Sequence, residues 1–261
     1  MNLSLIGKNA LVCGSSKGIG KAVALELATL GANVILVARS EGKLGAVLTE
    51  LDTSKNQKHG FIIADFSDSV DLEQKVQRLV AQQPIHILIN NTGGPAGGAI
   101  VDAEPQAFIQ AFHNHLICNH ILAKSVIDGM KTEGYGRIIN IISTSVKIPL
   151  TGLGVSNTTR GAVANWAKTL ANEVGQFGIT VNNVLPGATE TGRLDEIMNN
   201  KAKKANVSLE TIASKMKSII PLQRFAAPKE IAYAVAFLSS PSANYINGIN
   251  LPVDGGRTKS L

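Results

Sequence analysis

The stretch Gly14-Ser15-Ser16-Lys17-Gly18-Ile19-Gly20 narrows the possible folds of this chain more than any other. It follows the apolar run Ala10-Leu11-Val12-Cys13 and opens a segment in which Ile19, Val23, Leu27 and Leu30 recur at helical spacing. A glycine-rich turn between a strand and a helix has a chemical use: the backbone can approach a ligand closely, and the free N–H groups and positive end of the helix face an anion. A second apolar run, Val34 to Ala38, follows about 20 residues on, as in the mononucleotide-binding half of a doubly wound sheet. The turn is therefore expected to hold the pyrophosphate of a dinucleotide, with Gly14, Ser16, Lys17, Gly18, Ile19 and Gly20 as its cofactor-binding residues.

The end of the second strand bears on which dinucleotide. An acidic residue there accepts from a ribose 2′-hydroxyl, while a basic one meets a 2′-phosphate. Here Ala38, Arg39 and Ser40 occupy the position, and Lys17 lies in the glycine turn. Two cations directed at one phosphate favour NADP over NAD.

Strands are predicted at 59–64, 85–89, 137–142, 179–185 and 249–253. Helices are predicted from about 66 to 82 and over 105–131, 155–176 and 228–239. The alternation implies an α/β fold, a single-domain doubly wound parallel sheet (Rossmann fold) over 1–261 with helices on both faces. Residues about 189–218 are expected to form a lid. Over 193–218 the cations Arg193, Lys201, Lys203, Lys204, Lys215 and Lys217 outnumber Asp195, Glu196 and Glu210. The net charge of +6 comes with only 4% aromatics and no dense basic run, which argues against a nucleic-acid partner. No apolar run is long enough to span a bilayer, and no metal site is expected. Two cysteines, Cys13 and Cys118, make no disulfide framework, and the start of the chain lacks the blocks of a signal peptide, so a cytoplasmic location is expected.

With these landmarks in order, the chain resembles the short-chain dehydrogenase/reductase family over essentially its full length. The resemblance rests on Gly14, Gly18 and Gly20, Asp65 after the third strand, Asn90-Asn91-Thr92-Gly93 where the family has N-N-A-G, and Ser143. Pro186-Gly187 with Thr189, and Asp254-Gly255-Gly256, extend it. The wording around Asn91 looks most like the β-ketoacyl-carrier-protein-reductase-like branch. The resemblance implies Asp65 and Phe66 near adenine, Asn91 and Gly93 along the cofactor, and Pro186, Gly187 and Thr189 around the nicotinamide. It also implies hydride transfer between NADP and a carbonyl, on a small molecule or a 3-oxoacyl thioester, in a homotetramer built on the long helices.

The catalytic motif departs from that family. Its tyrosine, in Y-x-x-x-K, stands thirteen residues after the serine matching Ser143; here that count lands on Ser156, and the lysine position on Arg160. The three tyrosines, Tyr135, Tyr233 and Tyr245, all lie elsewhere. His115 stands where the family has an asparagine, and Asn114 is one position off, about 100° round a helix. A phenol with a pKa of about 10 can be tuned by an ammonium, whereas a serine hydroxyl lies nearer water's value of about 15.7. Arg160 stays protonated and presents a planar fork that can bind ribose hydroxyls or an oxyanion. The candidate catalytic set is thus Ser143, Ser156, Arg160 and His115, with His115, His113 or a water on the two serines as the proton source. Two functions follow: an NADP-dependent reductase with altered proton delivery, or a cofactor-binding protein with little turnover, such as a redox sensor or inactive partner subunit.

Overall fold

Parallel strands covered on both faces must be apolar on both sides, and the short runs read above meet that condition. In the computed structural model, which describes residues 1–260, they form β1 (Asn9–Cys13), β2 (Asn33–Ala38), β3 (Gly60–Ile63), β4 (Ile87–Asn90), β5 (Gly136–Ile141), β6 (Ile179–Pro186) and β7 (Asn250–Val253). Their order in the sheet is β3-β2-β1-β4-β5-β6-β7, with every pairing parallel. The winding reverses between β1 and β4, which opens a crevice at their carboxyl ends.

Successive strand residues point to opposite faces, so two cores form. Ala10, Val12, Val34 and Leu36 pack with α1 (Gly18–Thr29), α2 (Glu41–Leu48) and α9 (Pro228–Ser239). Leu11, Cys13, Ile35 and Val37 pack on the other face with α3 (Ser69–Val80), α5 (Cys118–Glu133) and α6 (Gly154–Val174). The short α2 has no counterpart in the sequence reading, where its two glycines, Gly42 and Gly45, weaken the helical signal.

Register on the carboxyl side of the sheet is held by asparagines. Asn90 Nδ2 donates to Asn140 Oδ1, Asn140 Nδ2 to Asn183 Oδ1, and Asn183 Nδ2 to Asn250 Oδ1, each at 2.8 Å. These residues stand directly opposite one another across β4, β5, β6 and β7. A slip of one residue would turn each amide into an apolar layer and break the row.

The predicted helix over 105–131 is interrupted. It runs as α4 (Pro105–Phe112), a π-turn (His113–Ile117) and then α5. Such a turn carries one extra residue and re-aims the side chains at it. Here it buries His115 and leaves Asn114 accepting from Gln110 on the outside. The expected lid consists of α7 (Gly192–Ala205) and α8 (Leu209–Ser218), which share a small core of Leu194, Met198, Ile212, Ile220 and Phe225. Among the described residues no helix is long and apolar enough to cross a membrane.

The asparagine row yields a stability test. Asn140→Ala leaves Asn90 Nδ2 and Asn183 Oδ1 buried and unpaired, which should cost about 3 kcal/mol, while Asn250→Ala at the rim of the row should cost about 1 kcal/mol. Urea denaturation midpoints of the two variants check the difference.

Candidate functional site

The crevice is built from a close backbone approach. Gly14 has φ +60°, and a Cβ there would stand 2.5 Å from the Asn91 carbonyl oxygen, while one on Gly20 would collide with the Gly14 carbonyl. Asn91 Nδ2 donates to the carbonyls of Cys13 and Gly14 at 3.2 and 3.3 Å, tying the loop after β4 to the turn after β1. Ser15 Oγ accepts from the Val37 N–H at 3.0 Å, which ties the same turn to β2. Anchored on both sides, the turn leads into α1, whose start has no side-chain cap. Its first N–H groups are thus free to face an anion, with Lys17 exposed beside them and Ser16 and Ile19 partly covered.

Arg39 and Asp65 stand just beyond β2 and β3, which pair through Ala38 and Ile63. Arg39 Nη1 lies 3.8 Å from Asp65 Oδ2, with the arginine side chain 77% exposed. The Ser67 N–H donates to Asp65 Oδ1 at 2.9 Å, and this bond, with Arg39 contributing less, holds the carboxyl below its ordinary range. Beneath, the Phe66 carbonyl accepts from Cys118 Sγ at 3.2 Å. Gly93 borders open space.

On the other side of the crevice, Ser143 follows β5 and its Oγ accepts from the Ser145 N–H at 3.1 Å. One turn separates Ser156 and Arg160 on α6; Arg160 Nε donates to Ser156 Oγ at 3.3 Å and Nη1 to the Ile141 carbonyl at 3.2 Å. His115 Nδ1 lies 2.5 Å from Thr92 Oγ1 in the loop after β4. Burial, then the Arg160 charge, pulls the His115 pKa down to about 3, against a smaller opposing effect from a hydrogen bond with the Gly93 backbone. His115 is therefore neutral at ordinary pH and offers a hydrogen bond rather than a titrating proton. His113 points elsewhere, into a groove of about 370 Å³ with Phe108, Ile109, Phe112 and Ile117. Pro186 ends β6; the Gly187 N–H donates to the Val253 carbonyl at 2.9 Å, and Thr189 Oγ1 donates to the Gly187 carbonyl at 3.1 Å.

The structure brings Ser156, Arg160 and His115 into one neighbourhood through Arg160, and gathers Gly14, Gly20 and Asn91 into another. Two residues that the sequence reading quoted without giving them a place in the site stand in it. Thr92, the partner of His115, was legible as the departure from N-N-A-G. Arg193 was counted only as a lid cation, yet its Nη2 donates to the Pro95 carbonyl at 2.6 Å, while Nη1 meets Glu196 at 2.9 Å. Arg193 and burial together lower the Arg160 pKa to about 10, burial being the larger cause.

Comparison with known proteins gives the family and the fold. A family model described as Enoyl-(Acyl carrier protein) reductase matches residues 14–258. The 3-oxoacyl-(acyl-carrier-protein) reductase FabG of Pseudomonas aeruginosa is 34% identical over 257 residues, covering 97% of this chain and 98% of that one. Among solved structures, L-sorbose reductase from Gluconobacter frateurii, complexed with NADPH and L-sorbose, superposes with a TM-score of 0.93 at 29% identity, covering 100% of both chains. YwfH, described as an NADPH dependent reductase involved in bacilysin biosynthesis, superposes with a TM-score of 0.92 at 28% identity, covering 97% of this chain and 99% of that one.

The state of His115 gives a pH prediction. The unfolded chain takes up its proton near 6.5 and the folded protein only near 3, so this residue's effect is to lower stability as pH falls from about 6.5 towards 3. His115→Gln removes that dependence. The gap in melting temperature between the parent and His115→Gln should therefore move against the parent between pH 7 and pH 4.5, as followed by calorimetry.

Proposed function

The chain belongs to the short-chain dehydrogenase/reductase family of oxidoreductases, and from that premise we propose that it is an NADP-dependent reductase of a carbonyl compound, with Ser156 and Arg160 in place of the usual tyrosine and lysine. The observation that carries this reading is the hydrogen-bonded Ser156–Arg160 pair, held to the end of β5 through Ile141. It supports the reading by joining a hydroxyl and a cation at the sequence positions that match the family's tyrosine and lysine. A cofactor fits the residues present: the turn from Gly14 to Gly20 leads to an uncapped helix start, with Lys17 and Arg39 available to a 2′-phosphate. Asp65 and Phe66 would border the adenine, Asn91 and Gly93 the body of the cofactor, and Pro186, Gly187 and Thr189 the nicotinamide. When bound, NADPH supplies the hydride.

The chain's own residues then manage the oxygen. Ser143 and Ser156 hold the substrate carbonyl, and Arg160, protonated at neutral pH even with its pKa near 10, stabilises the charge that develops there. His115 stays neutral and positions Thr92 and the Gly93 loop, so a water on the two serines delivers the proton. Without a tuned phenol, turnover should fall roughly 10²- to 10⁴-fold below a tyrosine-bearing relative. Residues 189–218 act as the lid of this single domain. A homotetramer belongs to the same reading, supported by Ile109 and Ile117 standing exposed on the α4–α5 unit. The missing ionisable acid also favours a second reading, a cofactor-binding protein without turnover.

NADPH oxidation against ketones and 3-oxoacyl thioesters separates the two: consumption of NADPH with formation of the alcohol supports the reductase, and a wholly inert panel supports the second reading. NADPH should bind at least about tenfold more tightly than NADH, a difference of about 1.4 kcal/mol, and the preference should shrink in Arg39→Ala. Fluorescence titration measures both.

A further inference from the structure

Arg160 is a partly buried cation whose neighbours supply no negative charge. Ser156 Oγ and the Ile141 carbonyl take Nε and Nη1, and among the described residues no carboxylate forms an ion pair with it. Its Nη2 has no hydrogen-bond partner among the described residues and lies near Gly94, as does that of a second arginine. A Cβ built on Gly94 would lie 3.5 Å from Arg160 Nη2 and 3.9 Å from Arg193 Nη2, so both cations reach the same point above the loop after β4. The Pro95 carbonyl holds Arg193 there by its backbone alone. Glu196 meets only the Nη1 side of Arg193, and the glutamate is 56% exposed, so the pair is weakened by water.

Two guanidiniums brought together with only a single, half-exposed carboxylate beside them are unfavourable. Arg160 Nη2 is unpartnered among the described residues, and Arg193 Nη2 has one N–H beyond the one given to Pro95, so each can donate to a shared anion. Gly94 has no side chain and leaves the space between them open. The cofactor's phosphates have other partners in the uncapped start of α1 with Lys17 and in Arg39. The remaining anion is one beside Ser156, to which Arg160 is directly bonded.

We propose that Arg160 and Arg193 form a carboxylate clamp across Gly94, so that the substrate is an oxo acid carrying a free carboxylate a few atoms from the carbonyl that is reduced. The clamp rests on the reductase reading and narrows it, from carbonyl compounds in general to acids. It also couples the lid to the substrate, because Arg193 belongs to the first turn of α7 while Arg160 belongs to α6.

The clamp is tested by calorimetric titration of the NADP⁺-loaded protein with butanoate and butanamide, which are unreactive. Butanoate should bind at least tenfold more tightly than butanamide. Arg193→Gln should bring the two to within threefold, and Arg193→Lys should keep part of the preference. Gly94→Ala should also lose it, since the methyl fills the gap at ordinary contact distance while both charges remain; this variant decides the matter if Arg193→Gln does not fold. Equal binding of acid and amide by the parent, or a preference that survives both substitutions, overturns the clamp. Butanoate binding that NADP⁺ abolishes also overturns it, by assigning the two cations to the cofactor's phosphates. In turnover, 3-oxobutanoate should exceed its methyl ester at least tenfold in kcat/KM. Equal values leave the reductase standing and remove the clamp, whereas butanoate preference with no NADPH oxidation by any compound removes the reductase alone.

Discussion

The approach of Gly14 to Asn91 is the constraint on which the site depends. Two chain segments far apart in sequence meet with their backbones nearly touching, at the one place where the winding of the sheet reverses. A methyl group at Gly14 or Gly20 would push the loop after β4 away from the turn after β1, and the crevice would lose its floor. The Asn91 amide then stitches that approach with two hydrogen bonds to carbonyls that the turn leaves without strand partners. The two halves of the proposed cofactor site are therefore one mechanical unit.

The other wall of the crevice depends on the asparagine row. Buried amides are costly unless both their donor and acceptor are met, and here each amide meets the next across the sheet. The row ends at Asn90 Oδ1, which is buried without a partner, just before the loop that carries Asn91, Thr92 and Gly93. Because the row fixes how β5, β6 and β7 are offset, it also fixes where Ser143 and Pro186 emerge at the carboxyl ends of their strands.

Charge near the crevice follows from burial more than from pairing. His115 is kept neutral by desolvation and by Arg160, and Arg160 is itself loosened from its proton by burial and by Arg193. The result is a site with positive charge in which neither His115 nor Arg160 titrates near neutrality. Such a site suits stabilisation of an anion better than transfer of a proton.

Much of this protein was written in local pattern. Alternation of apolar runs with helical spacing determined a doubly wound parallel sheet, because each strand and helix announces itself within a dozen residues. The glycine turn, the cations Lys17 and Arg39 and the placing of Ser156 and Arg160 one turn apart on a helix were legible in the same way. The π-turn was not, since the sequence over 105–131 reads as one helix and only packing against the loop after β4 selects the inward His115. Neither was the row of Asn90, Asn140, Asn183 and Asn250, nor the approach of Arg160 and Arg193 to Gly94. Those contacts join residues on different elements, and only the folded sheet and lid bring their side chains within reach of one another.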